Sequence, residues 1–289
     1  MNQTNSRLSQ MAMLNLSTMI ICTSAVIARY MNIDPKLAIF GRALTALPAL
    51  YLLMVFRKEK LVYRRENLKV LVTTGVLFCL HWILYFWSLA LTNVAVGVIT
   101  IFTYPIWTVL LEPFILKTKF DKVNLILAFA LVVGVYILVP PEPSNAMFWG
   151  ISSGIGSAVV YAFRNILSKS LITAYSGFQL TFFQISVVAI ILLFFIKPGE
   201  WAILWDNKYM LLLLGAFTSA LGHGLMVHSL KYFNPGEAGI MASLQPVYSI
   251  ILGYFVLREL PNGNVLMGGA IILGIVVVEM WRKMQKTKV

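Results

Sequence analysis

SLALTNVAVGVITIFTYPIWTVLLEPFILK, residues 88–117, and SLKYFNPGEAGIMASLQPVYSIILGYFVLR, residues 229–258, align without a gap at a shift of 141 residues. In that register Ser88-Leu89 meets Ser229-Leu230, Asn93 meets Asn234, Pro105 meets Pro246, Trp107 meets Tyr248, Phe114 meets Phe255 and Lys117 meets Arg258. A weaker match at a different shift pairs Ser24-Ala25-Val26 with Ser157-Ala158-Val159. Chance similarity between apolar helices is the competing explanation. A proline and a Ser-Leu pair falling in one ungapped register argue against it, so the chain reads as an internal duplication.

Each copy is built for lipid. The 289 residues are 59% hydrophobic and 12% charged, with a mean hydropathy of +0.82, whereas soluble domains run nearer about half apolar and a quarter charged. Apolar windows of spanning length fall near 11–28, 36–56, 68–91, 94–116, 123–139, 147–168, 178–196, 209–230, 236–257 and 264–281, each close to the ~20 residues that cross a bilayer as a helix. The expected fold is an all-α membrane protein of ten transmembrane helices, arranged as two inverted five-helix repeats over residues 1–140 and 147–289. Inversion follows from the odd number, because a second set of five helices enters the membrane upside down relative to the first. Two similar bundles can then exchange conformations about a site at their interface, which is the logic of alternating access.

The net charge of +12 does not point to nucleic acid, since the basic residues sit in short segments between apolar runs. With a cytoplasmic N-terminus, sixteen Lys and Arg fall in inner segments and five in outer ones. The positive-inside rule therefore predicts both termini in the cytoplasm. The N-terminal run reads as an uncleaved helix, because the repeat requires it. Cys22 and Cys79 lie in apolar runs with no partner at metal or disulfide spacing.

Ser88-Leu89-Ala90-Leu91 through Pro105, Ser229-Leu230-Lys231-Tyr232 through Pro246, Leu257-Arg258-Glu259 and Arg42 together resemble the drug/metabolite transporter superfamily, in its EamA-type members with two five-helix repeats. The resemblance covers essentially the whole chain. It implies an inner-membrane exporter or exchanger of small metabolites, often amino acids and their relatives, with a central cavity between the halves. One departure is that the Leu-Gly-Glu-type ending survives only as Leu257-Arg258-Glu259 and is replaced in the first half by Leu116-Lys117-Thr118. If that glutamate braces a loop, one loop here is braced. Small multidrug exporters of the same superfamily carry a carboxylate on the first helix, and Met11 to Ala28 contains none, which disfavours carboxylate-driven cation antiport.

Pro105 and Pro246 each fall in mid-helix, where they remove a backbone donor and free the carbonyl four residues earlier, at Ile101 and Ala242. Thr100, Tyr104 and Trp107 share one helical face beside the first proline, and their repeat mates Met241, Gln245 and Tyr248 share one beside the second. The same spacing groups Phe78, Trp82 and Tyr85, then Ser219, His223 and Met226; Ser153, Ser157 and Tyr161 form a comparable stripe, with Ser24 matching Ser157. Rings supply contact area and hydroxyls or amides supply orientation, so these faces are candidates for the wall of a solute cavity. Aromatic stripes also pack or face lipid, and Ser24, Ser153 and Ser157, with Gly150 and Gly154, also suit close helix crossings.

Ionisable groups in the spans need individual readings, because an arginine at mid-bilayer costs about 3 kcal/mol on insertion scales. For Arg42, snorkelling or a structural carbonyl clamp competes with recognition of a substrate carboxylate. Arg164 and Glu237 are read as an inner gate pair or as plain interfacial charges. Glu112 stands near the same surface and can neutralise Lys117. His223 is a candidate proton carrier in coupled exchange, with a structural histidine as the alternative. No nucleotide-binding or metalloprotease motif occurs, so no cofactor, metal or enzymatic activity is expected. An intramembrane transferase would need paired carboxylates at one interface, and Glu112 and Glu237 sit in opposite halves. A static scaffold gains nothing from paired helix interruptions. The sequence thus predicts a secondary transporter of small organic metabolites, most simply amino acids or relatives, whose partners are its solute and the lipid bilayer; the runner-up is an uptake exchanger of a nucleotide-linked or cationic metabolite. The residues carry no mark of oligomeric state.

Overall fold

The computed structural model of the chain describes residues 3–116, 144–233 and 244–286, with single positions between 123 and 137 and at 238 and 242. The described helices of eight or more residues are α1 (Gln3–Met31), α2 (Pro35–Phe56), α3 (Leu68–Leu91), α4 (Val94–Ile101), α5 (Tyr104–Leu116), α6 (Asn145–Leu171), α7 (Gly177–Leu193), α8 (Lys208–Ser229), α9 (Gln245–Leu257) and α10 (Gly263–Lys286), with short helical turns at Arg65–Asn67 and Glu200–Asp206. Among the described residues, six segments are long and apolar enough to cross a membrane: Ser9–Met31, Pro35–Phe56, Arg65–Leu91, Val94–Ile115, Asn145–Leu171 and Lys208–Ser229. Gly177–Leu193, Gln245–Leu257 and Gly263–Ile275 are shorter apolar helices. The expected window at 123–139 lies largely outside the described residues.

Local chemistry sets the ends. Asp34 accepts from the Lys36 amide at 2.8 Å and Pro35 opens α2, where a missing amide proton is harmless. Asn93 accepts from Val96 N at 2.9 Å to start α4, and Ser176 with Gln179 closes a reciprocal capping box on α7. Helix α9 ends at Arg258 in the left-handed region, φ 58°, and the Glu259 amide turns back to the Gly253 carbonyl at 3.4 Å.

The window 94–116 is not one kinked helix. It breaks at Phe102 and Thr103, so that α4 and α5 are separate. Pro105 cannot donate to the Ile101 carbonyl, and the turn is held instead by side chains: Thr103 Oγ1 donates to the Thr100 carbonyl at 2.8 Å, and Trp107 Nε1 donates to Thr103 Oγ1 at 3.2 Å. Pro246 stands in the first turn of α9 rather than in mid-helix. Within α8, residues Leu213–His223 form a π-helix, a wide-turned conformation that concentrates at functional positions.

The core is the interface between the halves. Helix α3 packs along α6 and α7, α2 along α7 and α8, and α1 along α8 and α9. Backbones approach closely where glycine permits. A Cβ on Gly215 would lie 2.5 Å from the Arg42 carbonyl oxygen and 2.8 Å from the Ala46 amide nitrogen, and one on Gly154 would lie 2.0 Å from Thr100 Oγ1. Small residues serve this way in membrane bundles because apolar area drives no helix association in lipid, so close packing must.

Candidate functional site: a cavity between the repeats

Eight side chains belonging to four repeat-mate pairs surround one cavity: Trp82 with His223, Tyr85 with Met226, Ile101 with Ala242, and Tyr104 with Gln245. Ile21, Ser24, Arg42, His81, Phe102 and Tyr161 complete its wall. The cavity has a volume of about 40 Å³ for the centres of water molecules, so this conformer admits a few waters or a small polar group and a larger solute must part the rings. Ile101 and Ala242, the residues whose carbonyls the two prolines free, both line it. Irregular backbone at membrane depth is tolerable where it borders such a wet space.

The aromatic wall is continuous. Phe78 and Trp82 meet at a tilt of 44° with centroids 4.2 Å apart, and His223 meets Phe78 at 5.3 Å and Trp82 at 5.8 Å. On the other side His81 stacks on Tyr161 at 4.4 Å and Tyr161 meets Tyr104 edge-on at 5.0 Å. His81 is anchored by Ser157, whose hydroxyl donates to the His81 carbonyl at 2.8 Å and stands 2.8 Å from its Nδ1.

Two guanidinium groups are buried here, and neither meets a carboxylate among the described residues. Arg42 is 0% exposed, which rules out snorkelling. Its Nε donates to Ser219 Oγ at 2.8 Å, its Nη2 donates to Thr218 Oγ1 at 3.1 Å, and its Cζ lies 3.9 Å from the Trp82 ring centroid. Both hydroxyls pass their own protons to the Leu214 carbonyl, at 2.5 and 3.0 Å, which turns their lone pairs toward the arginine. Arg164, likewise 0% exposed, donates from Nε and Nη2 to Gln184 Oε1, from Nη1 to Asn165 Oδ1 at 3.1 Å, and lies 4.3 Å over Phe78. Its full burial excludes the plain interfacial reading; Glu237, its expected gate partner, lies outside the described residues, as does Met241.

Of the residues singled out from sequence, Trp82, Tyr85, Tyr104, Tyr161, His223 and Gln245 line the cavity. Phe78 stands behind Trp82. Thr100 does not face the cavity: its hydroxyl donates to the Val96 carbonyl at 2.9 Å and sits on Gly154. Ser219 is held by Arg42, Trp107 by Thr103, and Tyr248 is half-buried away from the cavity wall. Sequence reasoning sets His81 off the stripe of His223, yet it lines the cavity; Gln184 was missed. His81 stands three residues from Phe78 and four from Tyr85, a helical neighbour spacing that could have included it; Gln184 has no repeat signal. At one end of the bundle Glu259 accepts from the Val94 amide at 2.8 Å and from Arg29 Nε at 3.1 Å, so it does brace a loop, joining α1, α4 and the end of α9.

The fold and cavity define a multi-pass membrane transporter built from a duplicated unit. The model of the EamA-like transporter family matches the chain twice, over residues 8–139 and 148–280, and the chain belongs to that family. It is 28% identical over 206 residues to an uncharacterized transporter of Archaeoglobus fulgidus, covering 69% of this chain and 71% of the relative. It is 22% identical over 243 residues to the pseudopaline exporter CntI of Pseudomonas aeruginosa, covering 81% and 82%. A protein of known crystal structure with 15% identity superposes over 94% of this chain and 96% of its own with a TM-score of 0.65, a likeness of fold alone.

Proposed function

We propose that this chain is a secondary transporter that exports or exchanges small organic metabolites, amino acids or related compounds, by alternating access around the cavity between its repeats. The observation that carries the reading is that four repeat-mate pairs face one cavity, so a swap of conformation between the halves carries the same wall from one side of the membrane to the other. Aromatic rings with few polar tips suit small amphipathic solutes. The membrane is a bacterial-type inner membrane, and both termini are cytoplasmic. Support for the antiparallel arrangement comes from the inter-helix polar contacts. Arg29 with Glu259 and Lys36 with Glu200 join segments that the charge pattern assigns outside, while Glu59 with Ser176 and Lys169 with the Leu230 carbonyl join segments assigned inside. Two buried arginines beside the cavity disfavour a cationic cargo.

Counterflow tests the reading. Vesicles holding the purified protein and preloaded with unlabelled amino acids should accumulate labelled ones above the level of empty vesicles. Absence of counterflow across amino acids and their relatives, with the protein folded, would overturn it. Cysteine-accessibility mapping that set Lys58 and Lys283 on opposite sides of the membrane would overturn the topology.

A further inference from the structure

We infer that the cavity recognises its solute through a carboxylate, held by Nη1 of Arg42 together with Nδ1 of His223, two side chains that both contact the Trp82 ring; the inference rests on the transporter reading and names its substrate class. Both nitrogens belong to fully or nearly fully buried side chains that line the cavity, and neither has a hydrogen-bond partner among the described residues. A buried donor without an acceptor is destabilising, and a buried cation without a counter-charge more so. The remaining contacts of Arg42 do not supply that charge. Ser219 and Thr218 are neutral acceptors whose hydroxyl protons are committed to Leu214.

No Asp or Glu side chain is buried among the described residues. Glu59, Glu200 and Glu259, which form ion pairs with Arg57, Lys36 and Arg29, do not line the cavity. Arg164, with neutral partners Gln184 and Asn165, adds a second positive charge behind Phe78. Among the described residues the cavity wall therefore carries positive charge with no facing carboxylate, and Nη1 of Arg42 and Nδ1 of His223, a donor in one imidazole tautomer, stand without partners beside Trp82, which contacts both side chains. A carboxylate has two oxygens for the two nitrogens and a negative charge for Arg42, the guanidinium that lines the cavity, whereas the hydrogen bonds of Arg164 go to Gln184 and Asn165 behind Phe78. A phosphate group carries more oxygens and more charge than these two donors satisfy. The rings of Tyr85, Tyr104 and Tyr161 then meet the rest of the solute.

The test uses the purified full-length protein in thermal-shift titrations and in vesicle counterflow. The probes are the twenty standard L-amino acids, benzoate and succinate, the carboxamide of every acid that acts, and glycerol phosphate and uridine monophosphate. The expected result is that acids bind and exchange while their carboxamides bind at least about tenfold more weakly, the loss of one charge-assisted hydrogen bond. Arg42→Lys should reduce that preference to about threefold or less while size-exclusion elution is unchanged, because an ammonium lacks the fork that reaches the hydroxyls and the solute together. Should Arg42→Lys fail to fold, His223→Phe, which keeps the ring and removes the donor, should weaken the acids about tenfold and leave the carboxamides unchanged. Equal binding of acids and carboxamides, retained preference in the folded Arg42→Lys protein, or action of the phosphate esters alone would each overturn the carboxylate inference while leaving the transporter standing. Silence of every probe in both assays would overturn the two together.

Discussion

Replacing Glu259 isolates a brace that joins three elements at one end of the bundle. Its carboxylate accepts the Val94 amide at 2.8 Å, at the positive end of α4, and the Arg29 guanidinium at 3.1 Å. Arg29 also donates to the Ala90 carbonyl at 3.2 Å. The side chains are 31% and 23% exposed, so solvent screens the ion pair, and its share is about 0.2–1 kcal/mol. The amide bond is a helix cap, with a further favourable term from a negative charge at a helix start, together about 1–2 kcal/mol. Glu259→Ala removes both and should cost about 1.5–3 kcal/mol, whereas Glu259→Gln keeps an acceptor for Val94 and should cost about 1 kcal/mol or less. For a chain of this size that corresponds to melting-point drops of roughly 3–8 °C and 1–3 °C.

The same brace bears on transport. If alternating access opens the bundle at this end, α1, α4 and α9 must separate there and the contact must break. A weakened brace then raises the population of the conformer open at this end, by about tenfold for 1.4 kcal/mol of differential loss. A cysteine placed at Asn32, on the α1–α2 turn, should react faster with an impermeant maleimide in Glu259→Ala than in the parent protein, with melting measured in parallel. The reasoning is refuted if Glu259→Ala melts with the parent, if Arg29→Gln costs more than Glu259→Ala, or if labelling at position 32 is unchanged while stability falls.

Gln245→Ala should reduce counterflow at least about tenfold without altering elution or melting, since Gln245 lines the cavity; Tyr248→Ala, one turn away and off the wall, should leave transport within about threefold of the parent, and equal effects of the two would remove Gln245 from the site. Gly154→Ala places a methyl 2.0 Å from Thr100 Oγ1 and 2.7 Å from its Cβ, which should destabilise by about 1–3 kcal/mol. Adding Thr100→Gly should recover most of that loss in thermal melts, and a non-recovering double variant would show that the clash lies elsewhere. Burial opposes ionisation of Glu59, but its hydrogen bonds with Arg57 and Ser176 outweigh it and hold the carboxyl below the usual carboxylate range. A lowered folded-state value means stabilisation that is present above about pH 4.5 and lost as the pH falls through the folded value. Melting of the parent should therefore fall more steeply than that of Glu59→Gln between about pH 5 and pH 3, and parallel curves would dismiss the contact.

The apolar windows, the duplication and the helix interruption at Pro105 were legible in the residues because each is a local consequence of composition or covalent geometry. Lipid demands a run of apolar residues, a proline cannot donate, and an ungapped repeat needs no third dimension to be seen. Helical spacing also grouped Trp82 with Tyr85, and the repeat carried that grouping to His223 and Met226, because side chains three or four apart share a face whatever lies opposite.

What lies opposite was decided only by the tertiary structure. Arg42 meets Thr218 and Ser219 across 176 and 177 residues, and no local pattern distinguishes that outcome from an arginine reaching for water. Spacing sets Thr100 and Tyr104 on one helical face, yet the α4–α5 break and the approach of Gly154 turn one into packing and leave the other on the cavity. The π-helical turns of Leu213–His223 shift the hydroxyls of α8 relative to an α-helical register. Periodicity determines which side chains share a face; only the packing of helices from both halves determines which face another helix covers and which one encloses the cavity.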